Sequence, residues 1–366
     1  MTVTTTVADD LRASVRGFLE SAVPEAEVRR IADSPSGFDA ALWGRLAGEL
    51  GLTGLVVPEE HGGSRAGFAE LGVVLEEMGW ALLPAPFFST VVLGAGALLL
   101  SGDAGAQAAH LPGIASGELR VAVGGMTGTP TCEAVAGSRG WLIDGTAEGV
   151  LDGATADLLL VFATCEGGTS LFAVRADAPG LSRRPLRTLD LTRRQAQVSL
   201  HATPATLIGS QGDGERIAAA LLDRALAGQT AEQVGGAKRV LEMATEYART
   251  RYQFGRAIGS FQAIKHRCAD MLIDVSRMEV AAAAALAAVD ADAPDLPVAA
   301  RVASSFCGDA YFAAAAANIE VHGGIGFTWE HPAHLYYRRA KSAQLLFGSP
   351  AEHREALMTL LEAGRG

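Results

Sequence analysis

Three short segments in the last third of this 366-residue chain carry residue types that can grip a phosphate-bearing ligand. Arg251-Tyr252-Gln253-Phe254-Gly255 sets a permanent cation beside an aromatic ring and a glycine, Ser260-Phe261-Gln262 follows, and His322-Gly323-Gly324-Ile325-Gly326-Phe327 adds a glycine pair. The Arg251 guanidinium can pair with a pyrophosphate through two parallel hydrogen bonds. Gly323 and Gly324 let backbone approach a phosphate closely where a Cβ would collide. Plainer readings stand beside these: Arg251 as a solvated charge on a helix face, and Gly323-Gly324 as a helix C-cap and turn. Cys132, Cys165, Cys268 and Cys307 have no CxxC or Cys/His spacing and read as reduced core thiols, not as a metal centre.

Composition sets the frame for these segments. At 49% hydrophobic and 19% charged, the chain can fill two or three packed units and has no bias toward disorder. The formal net charge of −11, with no basic stripe, argues against a nucleic-acid partner held by phosphate contacts. The longest apolar run, Val91 to Leu100, is interrupted by Gly94 and Gly96. It falls short of the roughly 20 residues needed to span a bilayer, so no membrane role is expected. Asp9 and Asp10 stand where a secretory signal would be basic and then apolar, which points to the cytoplasm.

The elements that must position the segments follow from periodicity. Phe38, Leu42, Leu46 and Leu50 recur at four-residue spacing, with Ser36 and Asp39 as cap candidates and Gly51 as a stop. A second helix is predicted from Phe68 to Met78, and Pro84 and Pro86 mark a turn. Beyond Glu118 the pattern becomes short strands, Leu119 to Val123, Gly140 to Ile143, Leu158 to Ala163 and Leu171 to Arg175, suggesting a small barrel or sandwich. Helix-length stretches return at Glu215 to Arg249, Phe261 to Val289 and Val298 to His322, with a turn at Asp292 to Pro297. Long helices with short loops favour an antiparallel bundle.

Further phrases lie upstream: Leu42-Trp43 through Gly51-Leu52, Val57-Pro58-Glu59-Glu60-His61-Gly62-Gly63, and Leu75-Glu76-Glu77-Met78-Gly79. In order and together with the C-terminal segments, they make nearly the whole chain resemble the acyl-CoA dehydrogenase family. The resemblance implies an α+β fold with an N-terminal helical domain over 1–117, a middle β-barrel or sandwich domain over 118–212, and a C-terminal four-helix bundle over 213–366. It implies FAD as cofactor, an acyl-CoA thioester as substrate, and an electron-transfer flavoprotein or similar acceptor. Arg251, Phe254, Gln262, Glu320, Gly323 and Gly324 match the family's cofactor-gripping positions, which in family tetramers reach across a subunit interface to FAD. Glu320 departs from the Gln common there. A carboxylate repels the diphosphate, so Glu320 is expected to turn away or to be neutralised by a nearby cation.

Desaturation of a thioester needs a base for the α proton and a flavin for the β hydride. The position where the family usually keeps its glutamate holds Phe347, in Leu345-Leu346-Phe347-Gly348-Ser349. The alternative position, counted back without gaps from Phe254, holds Ala225, followed by Leu226 where Arg is frequent; Asp223 and Gly235 stay in register on that count. In the middle domain, Gly149 and Leu151 stand where the family offers a Trp and a Thr to the flavin ring, and the upstream loop is reduced to Gly124-Gly125-Met126-Thr127-Gly128. Asp223, Glu232, Glu320 and Glu330 could each be named as a substitute base, though exposed carboxylates are common.

The resemblance thus implies a base-lacking subunit that completes the FAD site of a homologous partner in an α2β2 enzyme. Gly323 to His331, Tyr336 to Ala340 and Leu189-Asp190-Leu191-Thr192-Arg193-Arg194 are similar to the heteromeric branch that acts on steroid side-chain and other bulky acyl-CoA thioesters. Three rival expectations are a homomeric dehydrogenase with an unrecognised base, a different reaction on a thioester-bound acyl group, and a flavin-free acyl-CoA binding or scaffold protein.

Overall fold

The computed structural model describes residues 3–137 and 140–363. Helices open the chain: α1 (Val3–Ala22), α2 (Glu25–Asp33), α3 (Ala40–Gly48), α4 (Phe68–Ala81), a π-helical segment (Phe88–Ala95) continuing into α5 (Gly96–Ser101), and α6 (Ala104–Ala115). Strands follow: β1 (Val121–Gly124), β2 (Cys132–Gly137), β3 (Gly140–Leu151), β4 (Leu158–Cys165), β5 (Gly168–Arg175), β6 (Leu181–Pro185) and β7 (Gln195–Ile208). The remainder is helical: α7 (Gly214–Thr250), α8 (Gln262–Asp290), α9 (Leu296–His322), α10 (Ala333–Leu345) and α11 (Pro350–Ala363). The expected order, a helical domain, a middle β domain and a C-terminal helical domain, is the one observed. Among the described residues no helix is long and apolar enough to cross a membrane.

Local chemistry sets the helix ends. The Asp39 carboxylate accepts the Leu42 N–H at 2.9 Å at the start of α3, and Gly51, at φ +65°, ends the turn that follows. The left-handed backbone there suits a residue without Cβ. Asp103 caps α6 in the same way, from the Ala106 N–H at 3.0 Å. Each such cap is worth about 1 kcal/mol.

By internal contacts the chain divides into two compact units, Met1–Val28 with Phe68–Leu83 and Leu226–Gly366, and Arg29–Gly67 with Pro84–Ala225. The second holds the sheet. β4 pairs with β2, β2 with β3, β3 with β7, β7 with β5, and β5 again with β4, so these strands close on themselves; β1 lies parallel beside β4, and β6 beside β7. Closure leaves few free edges. Ile143, Val161, Phe172, Val174, Val198 and Leu200 are buried in one core cluster. β3 is longer than the Gly140 to Ile143 strand that the sequence pattern suggests, and β7 has no counterpart among the expected strands. The register of β3 against β7 shifts at Ile143/Gly145 and at Ala147/Val150, so Gly145 and Gly149, which punctuate the sequence like turns, are bends inside one strand.

In the first unit, α8 buries Met271, Val275, Met278, Ala282, Ala285 and Val289 along one face. Each large apolar side chain so buried contributes about 1.5–3 kcal/mol. α9 has a wider buried stripe because it packs on α8, α10 and α11. Helices α4 and α7 cross at glycines: a Cβ on Gly79 would lie 2.0 Å from the Glu232 carbonyl oxygen, and one on Gly235 would lie 1.7 Å from that of Glu76. Beside this crossing, Glu76 accepts hydrogen bonds from Arg12 at 2.7 Å and Lys238 at 2.6 Å, and Lys238 also pairs with Glu279 at 2.5 Å. Burial pushes the Glu76 carboxyl up, but the bonds from Arg12 and Lys238 outweigh it and hold the group below the ordinary glutamate range.

Candidate functional site

The segments singled out for phosphate chemistry meet at one corner of the first unit. α7 ends just before Arg251, whose N–H donates to the Tyr247 carbonyl at 2.8 Å and whose carbonyl accepts from Ile258 at 2.8 Å. Between these bonds, Tyr252–Gln253 and Arg256–Ala257 pair as a two-residue hairpin. Its turn residues, Phe254 at φ +53° and Gly255 at φ +76°, are both left-handed, as the tight hairpin requires. Glycine adopts that conformation freely, whereas phenylalanine does so at a cost. Phe254 is 92% exposed, touching Phe261 edge-on at 6.1 Å. Arg251 is exposed and pairs with no carboxylate among the described residues. Gln262, the first residue of α8, is exposed as well.

Gly323 closes α9 with φ +63°, so its glycine identity has a backbone cause. Gly324 has none: its φ is ordinary, and a Cβ there would meet nothing within 4 Å. Two further contacts tie the corner together. The His322 imidazole stacks on Tyr247 at 4.3 Å and lies against His331 at 4.2 Å, with Nδ1 2.8 Å from the Asn318 carbonyl. Burial pushes its pKa down, and the bond to Asn318 offsets part of that. Glu320 pairs with Arg267 of α8 at 2.7 Å, so a cation does sit beside it. Cavities of about 280 Å³ beside Trp80 and Tyr336 and about 310 Å³ beside Gly72 and Leu286 contain none of the candidate residues. Arg251, Phe254, Gln262, Gly323 and Gly324 are all exposed at this corner.

The donor set at this corner suits a diphosphate: an exposed guanidinium, a side-chain amide and backbone free of Cβ. The middle segment does not suit a flavin ring. Gly149, at φ +64° in the bulge of β3, brings no side chain. Leu151 is 4% exposed and has neither donor nor acceptor beyond its backbone. The next residue, Asp152, also at positive φ, accepts from the Ser89 hydroxyl at 2.6 Å. Gly125 and Gly128 of the shortened loop are left-handed turn residues.

Neither position matched to a base holds an ionisable group. Phe347 is buried at 8% exposure, and Ala225 and Leu226 are fully buried. Of the carboxylates proposable as substitutes, Glu232 is buried against Arg339 of α10, Glu320 is paired with Arg267, Asp223 is buried and Glu330 exposed. Sequence reasoning missed His353, which is buried with its ring against the loop after Phe347: a Cβ on Gly348 would lie 3.2 Å from its Cε1. Burial, and then the nearby Arg301, push its pKa down. It also missed Arg267 and Tyr247. Helix spacing within α7, α8 or α9 gives no signal for contacts between different helices, so only the fold reveals the Arg267–Glu320 and Tyr247–His322 contacts.

Comparison with known proteins covers most of the chain. Residues 5–118 match the acyl-CoA dehydrogenase N-terminal domain and residues 212–360 the acyl-CoA dehydrogenase C-terminal domain. The acyl-CoA dehydrogenase IpdE2 of Mycobacterium tuberculosis is 35% identical over 93% of each chain. Among solved structures, a variant of the Tcur3481–Tcur3483 steroid ACAD superposes with a TM-score of 0.90 at 32% identity over 99% of each chain. The ChsE4–ChsE5 complex from Mycobacterium tuberculosis does so with a TM-score of 0.90 at 30% identity over 97% of each chain.

Proposed function

The chain belongs to the acyl-CoA dehydrogenase family, and from that premise we propose that it is the base-lacking subunit of an α2β2 flavoenzyme that desaturates a bulky, steroid-type acyl-CoA thioester. A homologous partner supplies the carboxylate base and the contacts to the flavin ring. This chain supplies the arm: Arg251, Phe254, Gln262, Gly323 and Gly324 hold the diphosphate and adenosine half of FAD. When bound, FAD supplies the hydride acceptor.

The observation that carries the proposal is the contrast between the two halves of the site. Apolar Phe347 and Ala225 stand at the two base positions, and Gly149 and Leu151 offer no side-chain donor to a ring. The arm, by contrast, keeps a guanidinium that pairs with no carboxylate among the described residues and, in a turn of positive φ, an aromatic side chain that is almost fully exposed. Strain of that kind persists where the surroundings or a function maintain it. Two similar structures bear paired subunit names, one of them described as a steroid enzyme, which supports both the heteromeric state and the substrate class.

The test is cofactor retention. Arg251→Ala in the assembled complex should weaken FAD binding by about one to two decades, the equivalent of a lost charge-assisted contact of about 1.5–3 kcal/mol. Arg251→Lys should recover only part, since an ammonium lacks the planar fork. Affinity unchanged within about twofold would show that the arm does not reach the cofactor.

A further inference from the structure

Resting on the reading of the arm as an FAD-diphosphate clamp, we infer that Arg267 is a further diphosphate-binding residue and that Glu320 is its positioning residue. The two groups bridge the elements that carry the clamp. Arg267 lies on the second turn of α8, which begins at Gln262, and Glu320 lies on the last turn of α9, which ends at Gly323. Their 2.7 Å contact engages one terminal nitrogen of the guanidinium. A guanidinium has five N–H donors in a fixed fork, and no second carboxylate pairs with Arg267 among the described residues. The Arg267 side chain is about half exposed, so solvent or an anion can reach the rest of the fork.

Electrostatics make the assignment specific. A lone carboxylate at the end of α9, three residues before Gly323, would repel a diphosphate seated on the Gly323-Gly324 turn. Paired with Arg267 its charge is cancelled, while the guanidinium still presents free donors to an anion, and an Arg fork suits phosphate oxygens. Stability does not account for the pair. Both side chains are more than half exposed, and exposed ion pairs contribute little.

Two explanations make different predictions. If Arg267 merely neutralises Glu320, removing both charges together costs nothing. If Arg267 binds the diphosphate itself, the cost persists. The experiment titrates FAD into the apo form of the co-purified complex carrying Arg267→Ala, Glu320→Gln, both changes together, or Arg251→Ala, and follows the unfolding midpoint of each variant. Arg267→Ala should weaken FAD binding about tenfold or more without shifting the unfolding midpoint. Glu320→Gln keeps an oxygen for Arg267 and removes the repulsion, so it should bind at least as tightly as wild type. The double variant should remain weaker than wild type. A double variant that returns to wild-type affinity, or an unchanged Arg267→Ala, overturns the inference, provided Arg251→Ala is weakened. If Arg251→Ala is unchanged too, the clamp reading itself is overturned.

Discussion

Glu232 on α7 and Arg339 on α10 form an ion pair with both side chains buried, 8% and 3% exposed. The Arg339 guanidinium engages the Glu232 carboxylate inside the protein, which argues against Glu232 as a candidate base. The effect of the pair is on stability. Removing one partner of a buried ion pair typically costs 3–5 kcal/mol. Glu232→Ala should therefore lower the unfolding free energy of the complex by about 3 kcal/mol or more in urea titration. Replacing both residues by apolar ones of similar volume should recover most of the loss. A single variant within about 0.5 kcal/mol of wild type would show that the pair is not desolvated.

Acid should unfold the chain partly through Glu76. Its carboxyl is held below the ordinary value of about 4.3 because the bonds from Arg12 and Lys238 outweigh burial. A depressed folded pKa gives stability that is fully present above the unfolded value and lost as pH falls through the folded one. Denaturation midpoints should be level between about pH 5 and 8 as far as this group is concerned and should fall below about pH 4.3. Glu76→Gln should flatten that acid limb while lowering the plateau. An acid limb of unchanged slope would place the responsible carboxylate elsewhere.

Two glycine-to-alanine changes separate packing from binding. At Gly235 a Cβ would sit 1.7 Å from the Glu76 carbonyl oxygen, so Gly235→Ala must push α4 and α7 apart and should destabilise by about 3 kcal/mol or more. At Gly324 the same Cβ meets nothing within 4 Å, and Gly324→Ala should leave stability within about 0.5 kcal/mol. FAD retention by the complex should nonetheless fall, because the open space is where the diphosphate is expected. Thermal unfolding and FAD titration of both variants check this, and a Gly324→Ala complex with wild-type FAD affinity would remove that turn from the clamp.

The long helices were readable because a regular apolar stripe and terminal signals agree there. Glu215 to Arg249 and Val298 to His322 fall within one or two residues of α7 and α9, and Asp39 and Gly51 act at α3 as their side chains dictate. The sequence pattern ends β3 early because Gly145 and Gly149 look like turns, and only pairing with β7 shows them as irregularities inside one strand. The π-helical stretch Phe88–Ala95 is uniformly buried, so periodicity has no exposed side to register. The arm residues are legible in the sequence as candidates, because Arg, Phe and Gly in that order match recognisable cofactor-gripping positions. Arg267 and Arg339 could not, since each acquires meaning from a carboxylate 53 and 107 positions away, at Glu320 and Glu232.

The most direct measurement is the ratio of FAD to polypeptide, with turnover, for the chain purified alone and co-expressed with a homologue that carries the glutamate base and the Trp/Thr flavin segment. The chain alone should be colourless or bind FAD substoichiometrically and should not turn over, since the side chains of Phe347, Ala225, Gly149 and Leu151 offer neither an ionisable group nor a polar contact. The co-expressed pair should hold one FAD per heterodimer and desaturate a bulky acyl-CoA thioester. A yellow homotetramer of this chain with one FAD per subunit and dehydrogenase turnover would contradict this expectation.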